Sequence, residues 1–151
     1  MKRHQYTIGK AVSFQGNGLH SGEPVTLTMR PAPAGTGIIF RRTDLPGTPE
    51  VPAKSTYITN TLRATTLEQG PAKVFTVEHL LSALYAFHID NCYLEMDSPE
   101  PPVADGGALT FSRMILDAGT VEQEEMTDVL TLEKSLSVYE DGKFICALPY
   151  K

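Results

Sequence analysis

The sequence predicts an α+β fold: a two-layer sandwich in which a mixed β-sheet carries two helices on one face. Three observations carry that expectation. Short segments rich in Thr, Ile and Val, separated by Gly and Pro, occupy the chain from Tyr6 to Val77. Two stretches of helical periodicity then follow, with one more alternating segment between them. The 151 residues are 41% hydrophobic and 21% charged, enough to bury one ordinary core. Strands first and helices late favour helices gathered on one side of a sheet.

The elements follow in order. "QYTIGKAVSFQGNGLHSGEPVTLTMRPA" predicts a hairpin, Tyr6–Phe14 against Pro24–Met29, around a Gly-rich bend at Gly16–Gly22. "TGIIFRRTD" predicts a short strand, followed by a Pro-rich loop, "LPGTPEVPA". "TYITNTLRATTLEQGPAKVFTV" predicts two strands joined at Gln69-Gly70-Pro71, since β-branched residues dominate it. Val77, Leu80, Leu81, Leu84 and His88 then recur at i, i+3, i+4, i+7 and i+11, one face of an α-helix. Thr76 is its expected N-cap, and it should end near His88. "NCYLEMD" alternates as a strand, and "SPEPPVADGG" is a rigid loop. Phe111, Met114, Ile115 and Ala118 form the apolar face of a second helix that stops at Gly119.

This first domain is expected to span residues 1–120. Residues 121–130, with "VEQEEMTD", read as an acidic linker. Beyond it, "TLEKSLSV" (Thr131–Val138) matches "TIGKAVSF" (Thr7–Phe14) in Thr, Lys and Ser at the same offsets. A turn and a second strand, "DGKFICALPY", complete a hairpin. Residues 131–151 therefore read as the incomplete start of a second, similar domain. A lone hairpin is marginally stable in water, so a second domain of the same protein is its expected partner.

Charge and cysteine use narrow the function classes. Net charge is -5 with no basic run, which argues against nucleic acid as a partner. No apolar run approaches the ~20 residues that span a bilayer. "MKRHQYTIGK" has no apolar stretch behind its basic start, so it does not read as a signal peptide. Cys92 and Cys146 fall in strand-like apolar segments and are expected to be buried free thiols, which points to a reducing, cytoplasmic setting.

One dipeptide suggests chemistry. Glu78 and His79 open the first helix, off its apolar face and about 100° apart around the axis. Adjacent helical residues cannot easily ligate one metal together. They can divide the labour of a metal hydrolase, the imidazole binding the ion and the carboxylate reaching an attacking water. The positive helix end disfavours imidazolium and favours the carboxylate. An ordinary explanation stands beside this one: Glu in a first turn complements the dipole, and His is often a surface residue. No His-x-x-x-His or His-x-x-x-Asp pair occurs, so the chain offers one candidate ligand rather than a complete site.

"GNGLHSGEPVTLTMRPAPAGTGIIFRRTDLPG", "TVEHLLSALYAFHIDN" and "PEPPVADGGALTF" closely resemble, in order and spacing, the N-terminal half of the UDP-3-O-acyl-N-acetylglucosamine deacetylases, zinc enzymes committed to lipid A synthesis. The resemblance implies two similar domains with the active site between them. It implies Zn(2+) held in part by His79, and Glu78 as the general base for water attack on the acetamide. The remaining ligands, a further His and an acyl-chain passage are then expected in the second domain. Leu19 and His20, in "NGLHSG", match a loop beside the family's site and are candidate substrate contacts. Leu62 is a third, in a segment where Arg63 and Ala64 depart from the family's usual residues. Asp105 and Gly106 match a turn before the second helix, for which N-capping is the simpler role. A truncated, non-catalytic copy acting as a binding or interaction module is the alternative. A small RNA-binding α+β domain is a third reading, disfavoured by the acidic balance.

Overall fold

The computed structural model describes residues 2–150. Its strands and helices run β1 (Lys2–Ile8), β2 (Val12–Asn17), β3 (Pro24–Pro31), β4 (Ile38–Arg42), β5 (Glu50–Pro52), β6 (Ile58–Asn60), β7 (Thr66–Gln69) and β8 (Ala72–Phe75). Then come α1 (Glu78–Ala86), β9 (Cys92–Met96), α2 (Leu109–Ala118), β10 (Thr120–Asp128), β11 (Leu136–Glu140) and β12 (Lys143–Ala147). The fold is α+β, as expected.

The central sheet has the order β2-β3-β9-β4-β5. It is mixed, because β4 and β9 run parallel while the other pairs are antiparallel. Alternation sorts its two faces. Val25, Leu27 and Met29 of β3, Phe40 of β4, and Cys92, Leu94 and Met96 of β9 point inward and are buried. They share one cluster with Leu80, Ala83 and Leu84 of α1 and Phe111, Met114, Ile115 and Ala118 of α2. Full burial of a side chain such as Leu80 or Leu84 stabilises by about 1.5–3 kcal/mol, and this attachment holds α1 to the sheet. The outer face is polar, with Arg30 on Glu95 at 2.6 Å and the Arg41 guanidinium 3.4 Å from the Tyr93 ring centroid. A second, three-stranded sheet, β6-β7-β8, is tied to the first by Arg42. Asp44 holds that nearly buried guanidinium, which donates to the Lys73 carbonyl at 2.6 Å.

Several expectations need correction. Tyr6–Phe14 is not one strand. The chain breaks after Ile8, so β1 pairs with β10 while β2 pairs with β3 from Val12↔Met29 to Asn17↔Pro24. Gly9 makes the break possible: its N–H donates to Gly119 O at 2.9 Å, and a Cβ there would lie 2.8 Å from Ala118 O. The acidic stretch read as a linker is strand through Asp128, registered from Ile8↔Thr120 to Lys2↔Asp128. Its charge hides the strand, because its side chains are mostly exposed. Cys92 is buried, and that burial pushes its thiol up to about 12, but Cys146 is exposed. "TYITNTLRATTLEQGPAKVFTV" forms three strands rather than two, with the expected turn at Gly70-Pro71 between β7 and β8. Thr76 does not cap α1: Val77 holds that position without a side-chain bond. Asp105 does not occupy the cap of α2, which Ala108 holds, but its Oδ1 accepts from the Thr110 hydroxyl at 3.1 Å.

The predicted last hairpin is present as β11–β12, paired from Leu136↔Ala147 to Glu140↔Lys143. Every residue in its two strands is exposed.

Candidate active site

The site begins at an awkward junction. β8 ends at Phe75 and α1 starts at Glu78, so the chain must turn within two residues. Thr76 makes the turn at φ 57°, a conformation that β-branched residues rarely adopt. Such strain costs on the order of 1–3 kcal/mol and persists only where surrounding bonds impose it. Two bonds do so here. Phe75 N–H donates to Pro99 O at 3.0 Å, and the Thr76 hydroxyl donates to Glu100 Oε1 at 2.7 Å.

Glu100 is fully buried and occupied on both oxygens. Oε1 also accepts from His20 N–H at 3.0 Å, and Oε2 accepts from Ser21 N–H and the Ser21 hydroxyl, each at 2.8 Å. Burial pushes this carboxyl up, but the bonds from Ser21, Thr76 and His20 outweigh it and hold the group below its ordinary value. A Cβ on Gly18 would collide with the Glu100 carboxylate and the Ser21 hydroxyl, so only glycine lets the bend close on the acid.

Glu78, just beyond the junction, is half-buried and lightly held. Its Oε2 accepts a single bond, from Thr65 N–H at 3.2 Å. His79 is also half-buried. Its carbonyl accepts from the Ser82 hydroxyl at 2.7 Å, and among the described residues no hydrogen bond holds its ring.

A depression of about 230 Å³ is lined by His20, Leu62, Arg63, Ala64, Thr66, Lys73 and Phe75. The structure therefore brings together two of the expected contacts, His20 and Leu62. Glu78 adjoins this hollow through Thr65, which lies between two of its lining residues. Leu19 sits half-exposed on the same bend as His20 but does not line the hollow, and neither does His79. A larger hollow of about 480 Å³, between the β1–β10 ribbon and the end of α1, includes none of the expected residues. Among the described residues no three His, Cys, Asp or Glu side chains converge as a metal site.

Two features escaped sequence reasoning: the buried acid Glu100 and the strained Thr76. The only available signal for the first was a carboxylate among three prolines, in "PEPP", a poor place for a solvated charge. Thr76 gave a misleading one, because Thr before a helix normally reads as a cap.

The fold and this corner define a class: a two-layer α+β domain with a Glu-His pair opening the helix, its Glu bonded to the segment that lines a small hollow. Residues 5–151 match the family described as UDP-3-O-acyl N-acetylglycosamine deacetylase, and the chain belongs to that family. It is 46% identical over 147 residues to UDP-3-O-acyl-N-acetylglucosamine deacetylase of Legionella pneumophila (strain Corby), covering 97% of this chain and 48% of the relative. The enzyme of the same name from Myxococcus xanthus (strain DK1622) is 47% identical over 140 residues, covering 93% of this chain and 45% of the relative. That of Hahella chejuensis (strain KCTC 2396) is 41% identical over 146 residues, covering 97% and 48%. The chain thus spans about half the length of the curated relatives it matches, corresponding to their N-terminal half.

Proposed function

We propose that this chain supplies the N-terminal part of a zinc-dependent deacetylase. Its substrate would be UDP-3-O-acyl-N-acetylglucosamine, and its products acetate and the free 2-amine, the committed step of lipid A synthesis in Gram-negative bacteria. The observation that carries this reading is the Glu78–His79 pair at the start of α1, with Glu78 held from the segment that lines the hollow, in a chain of this family.

His79 fits a metal ligand: a half-buried imidazole in the first turn of α1 whose ring is held by no hydrogen bond among the described residues. The other ligands are assigned to a second domain of the same protein. When bound, zinc supplies Lewis acidity for the amide carbonyl and lowers the pKa of water. Glu78 accepts the proton of the attacking water, and the proton that the departing amine needs is assigned to a further His of the second domain. Glu78 Oε2 is anchored by Thr65 N–H, and among the described residues no hydrogen bond occupies Oε1. Leu62, Ala64 and Phe75 give the hollow an apolar part, and His20, Arg63, Thr66 and Lys73 a polar and cationic one, suited to a sugar ring. Leu19, outside the hollow, is assigned a peripheral contact. Among the described residues no helix is long and apolar enough to cross a membrane. The proposed nucleotide-sugar substrate supports a cytoplasmic setting.

The test uses the full-length gene product. Acetate release and zinc content are measured for the unmodified protein, Glu78→Gln and His79→Ala. The reading expects acetate release with about one zinc, zinc without turnover in Glu78→Gln, and loss of both in His79→Ala. A zinc-loaded, folded protein that releases no acetate would overturn it.

The alternative, a non-catalytic interaction module, draws support from one observation. Leu136, Val138, Tyr139, Phe144 and Ile145 are all exposed on the β11–β12 hairpin. Metal-free protein that associates with rising concentration in sedimentation would favour it.

A further inference from the structure

We infer that Glu100 is a positioning residue for the candidate site, tying the bend that bears His20 to the strained junction that starts α1. The inference rests on the reading of that site given above.

Three segments far apart in sequence meet at this carboxylate. His20 and Ser21 bring two consecutive backbone N–H groups, a nest that grips an anion and fixes the peptide planes. Those planes set the direction in which the His20 side chain leaves the bend. Thr76 brings the hydroxyl that holds the left-handed turn, three residues before His79. Glu100 itself stands on a rigid strap. Pro99 accepts from Phe75 N–H at 3.0 Å, and Val103 N–H donates to Asn17 O at 2.8 Å, so the strap is fastened to both segments it joins. The intervening prolines fix its φ angles.

The chemistry of the acid argues against a purely structural purpose. Among the described residues no Lys or Arg forms an ion pair with Glu100, and all its donors are neutral. Desolvating a carboxylate is costly, and apolar packing of similar volume stabilises as well or better. What apolar packing cannot do is fix the orientation of two N–H groups and two hydroxyls on separate segments at once. The bonds made to this charge therefore specify geometry. The wall of the hollow at His20 and the Glu78–His79 pair are held in one relation by a residue that, among the described residues, makes no hydrogen bond to the side chains of His20, Glu78 or His79.

The experiment compares the full-length protein with E100Q, an isosteric change that places an amide N–H₂ against N–H donors. Two readouts are taken well below the melting temperature. The first is amide hydrogen exchange at His20 and Ser21, with β3 and β9 as internal references. The second is kcat and KM for acetate release from UDP-3-O-acyl-N-acetylglucosamine. The expected result is faster exchange at His20 and Ser21 alone, with kcat/KM roughly tenfold to a hundredfold lower, the scale of a misplacement near 1 Å. A lower melting temperature with kcat, KM and local exchange unchanged would reduce Glu100 to a structural residue and overturn the inference. If the unmodified protein releases no acetate, the deacetylase reading falls separately, and exchange at His20 and Ser21 still decides whether Glu100 holds the bend. Should E100Q fail to fold, S21A removes one donor only and is read by the same two measurements, with a smaller expected loss.

Discussion

Two carboxylates lie on either side of Thr76, and their surroundings are opposite. On the closed side Glu100 is fully buried, and donors from three residues fill both its oxygens. On the open side Glu78 is half-buried and takes one 3.2 Å bond. Each side also has a non-glycine residue in the left-handed region, Thr76 at φ 57° and Arg63 at φ 61°. Thr76 is buried and bonded through its hydroxyl, whereas Arg63 is exposed, with no side-chain hydrogen bond among the described residues. The difference separates two uses of an acid. A carboxylate saturated with donors defines where the chain goes. A carboxylate left with an uncommitted oxygen can exchange a proton.

If that division holds, the largest effect comes from Glu78→Gln. The amide keeps the bond from Thr65 but cannot accept a proton. Acetate release by the full-length protein should fall by roughly 10²–10⁴-fold, the usual contribution of a general base. Its stability should move by no more than about 0.5 kcal/mol, since a half-exposed site with one retained bond is nearly neutral. Urea unfolding beside the kinetics checks both. A Glu78→Gln protein that keeps its activity would place the base elsewhere and end the comparison.

Glu100→Ala should behave in the opposite way, with a stability loss of about 2–4 kcal/mol, because buried donors on His20, Ser21 and Thr76 lose their acceptor together. The acid limb sharpens the contrast. The Glu100 carboxyl is held below its ordinary value, burial raising it and the hydrogen bonds lowering it further. Its contribution is therefore complete above the unfolded value of about 4.3 and is lost as pH falls through the folded value. Urea midpoints of the unmodified protein and Glu100→Gln should differ most near neutrality and converge as pH drops below about 4. A constant gap across that range would mean that the charge is not what holds the bend.

These contrasts also explain what the sequence could and could not disclose. The helices were legible because their burial is periodic: Leu80 and Leu84, then Phe111, Met114, Ile115 and Ala118, all lie in the core. The central strands β3 and β9 were legible for the same reason at period two. β10 was not, because a strand whose side chains face solvent has no hydrophobic alternation to display, and its pairing with β1 depends on a partner more than a hundred residues away. At the site, Glu78 and His79 were visible through their adjacency and position, and the family resemblance led to His20 and Leu62. Glu100 was invisible because its importance lies in long-range bonds to His20 and Thr76, which no local pattern encodes. Thr76 was misread because capping and strained turning use the same residue type.

The smallest effect tests the two left-handed residues against each other. Glycine adopts positive φ without a Cβ clash, so substitution should relieve strain at either position. At Arg63 nothing opposes the relief except the added freedom of the unfolded chain, and Arg63→Gly should raise stability by a few tenths to about 1 kcal/mol. At Thr76 the same change also removes the hydroxyl bond to Glu100, in general a loss of about 0.5–1.5 kcal/mol, or more with a charged acceptor. Thr76→Gly should therefore be neutral or destabilising, despite starting from a similar backbone angle. Paired urea titrations of the two variants measure the difference directly. Equal stabilisation by both would mean that the Thr76–Glu100 bond contributes nothing. A larger gain at Thr76 than at Arg63 would mean that the closed side is the more strained of the two and is not held by its acid.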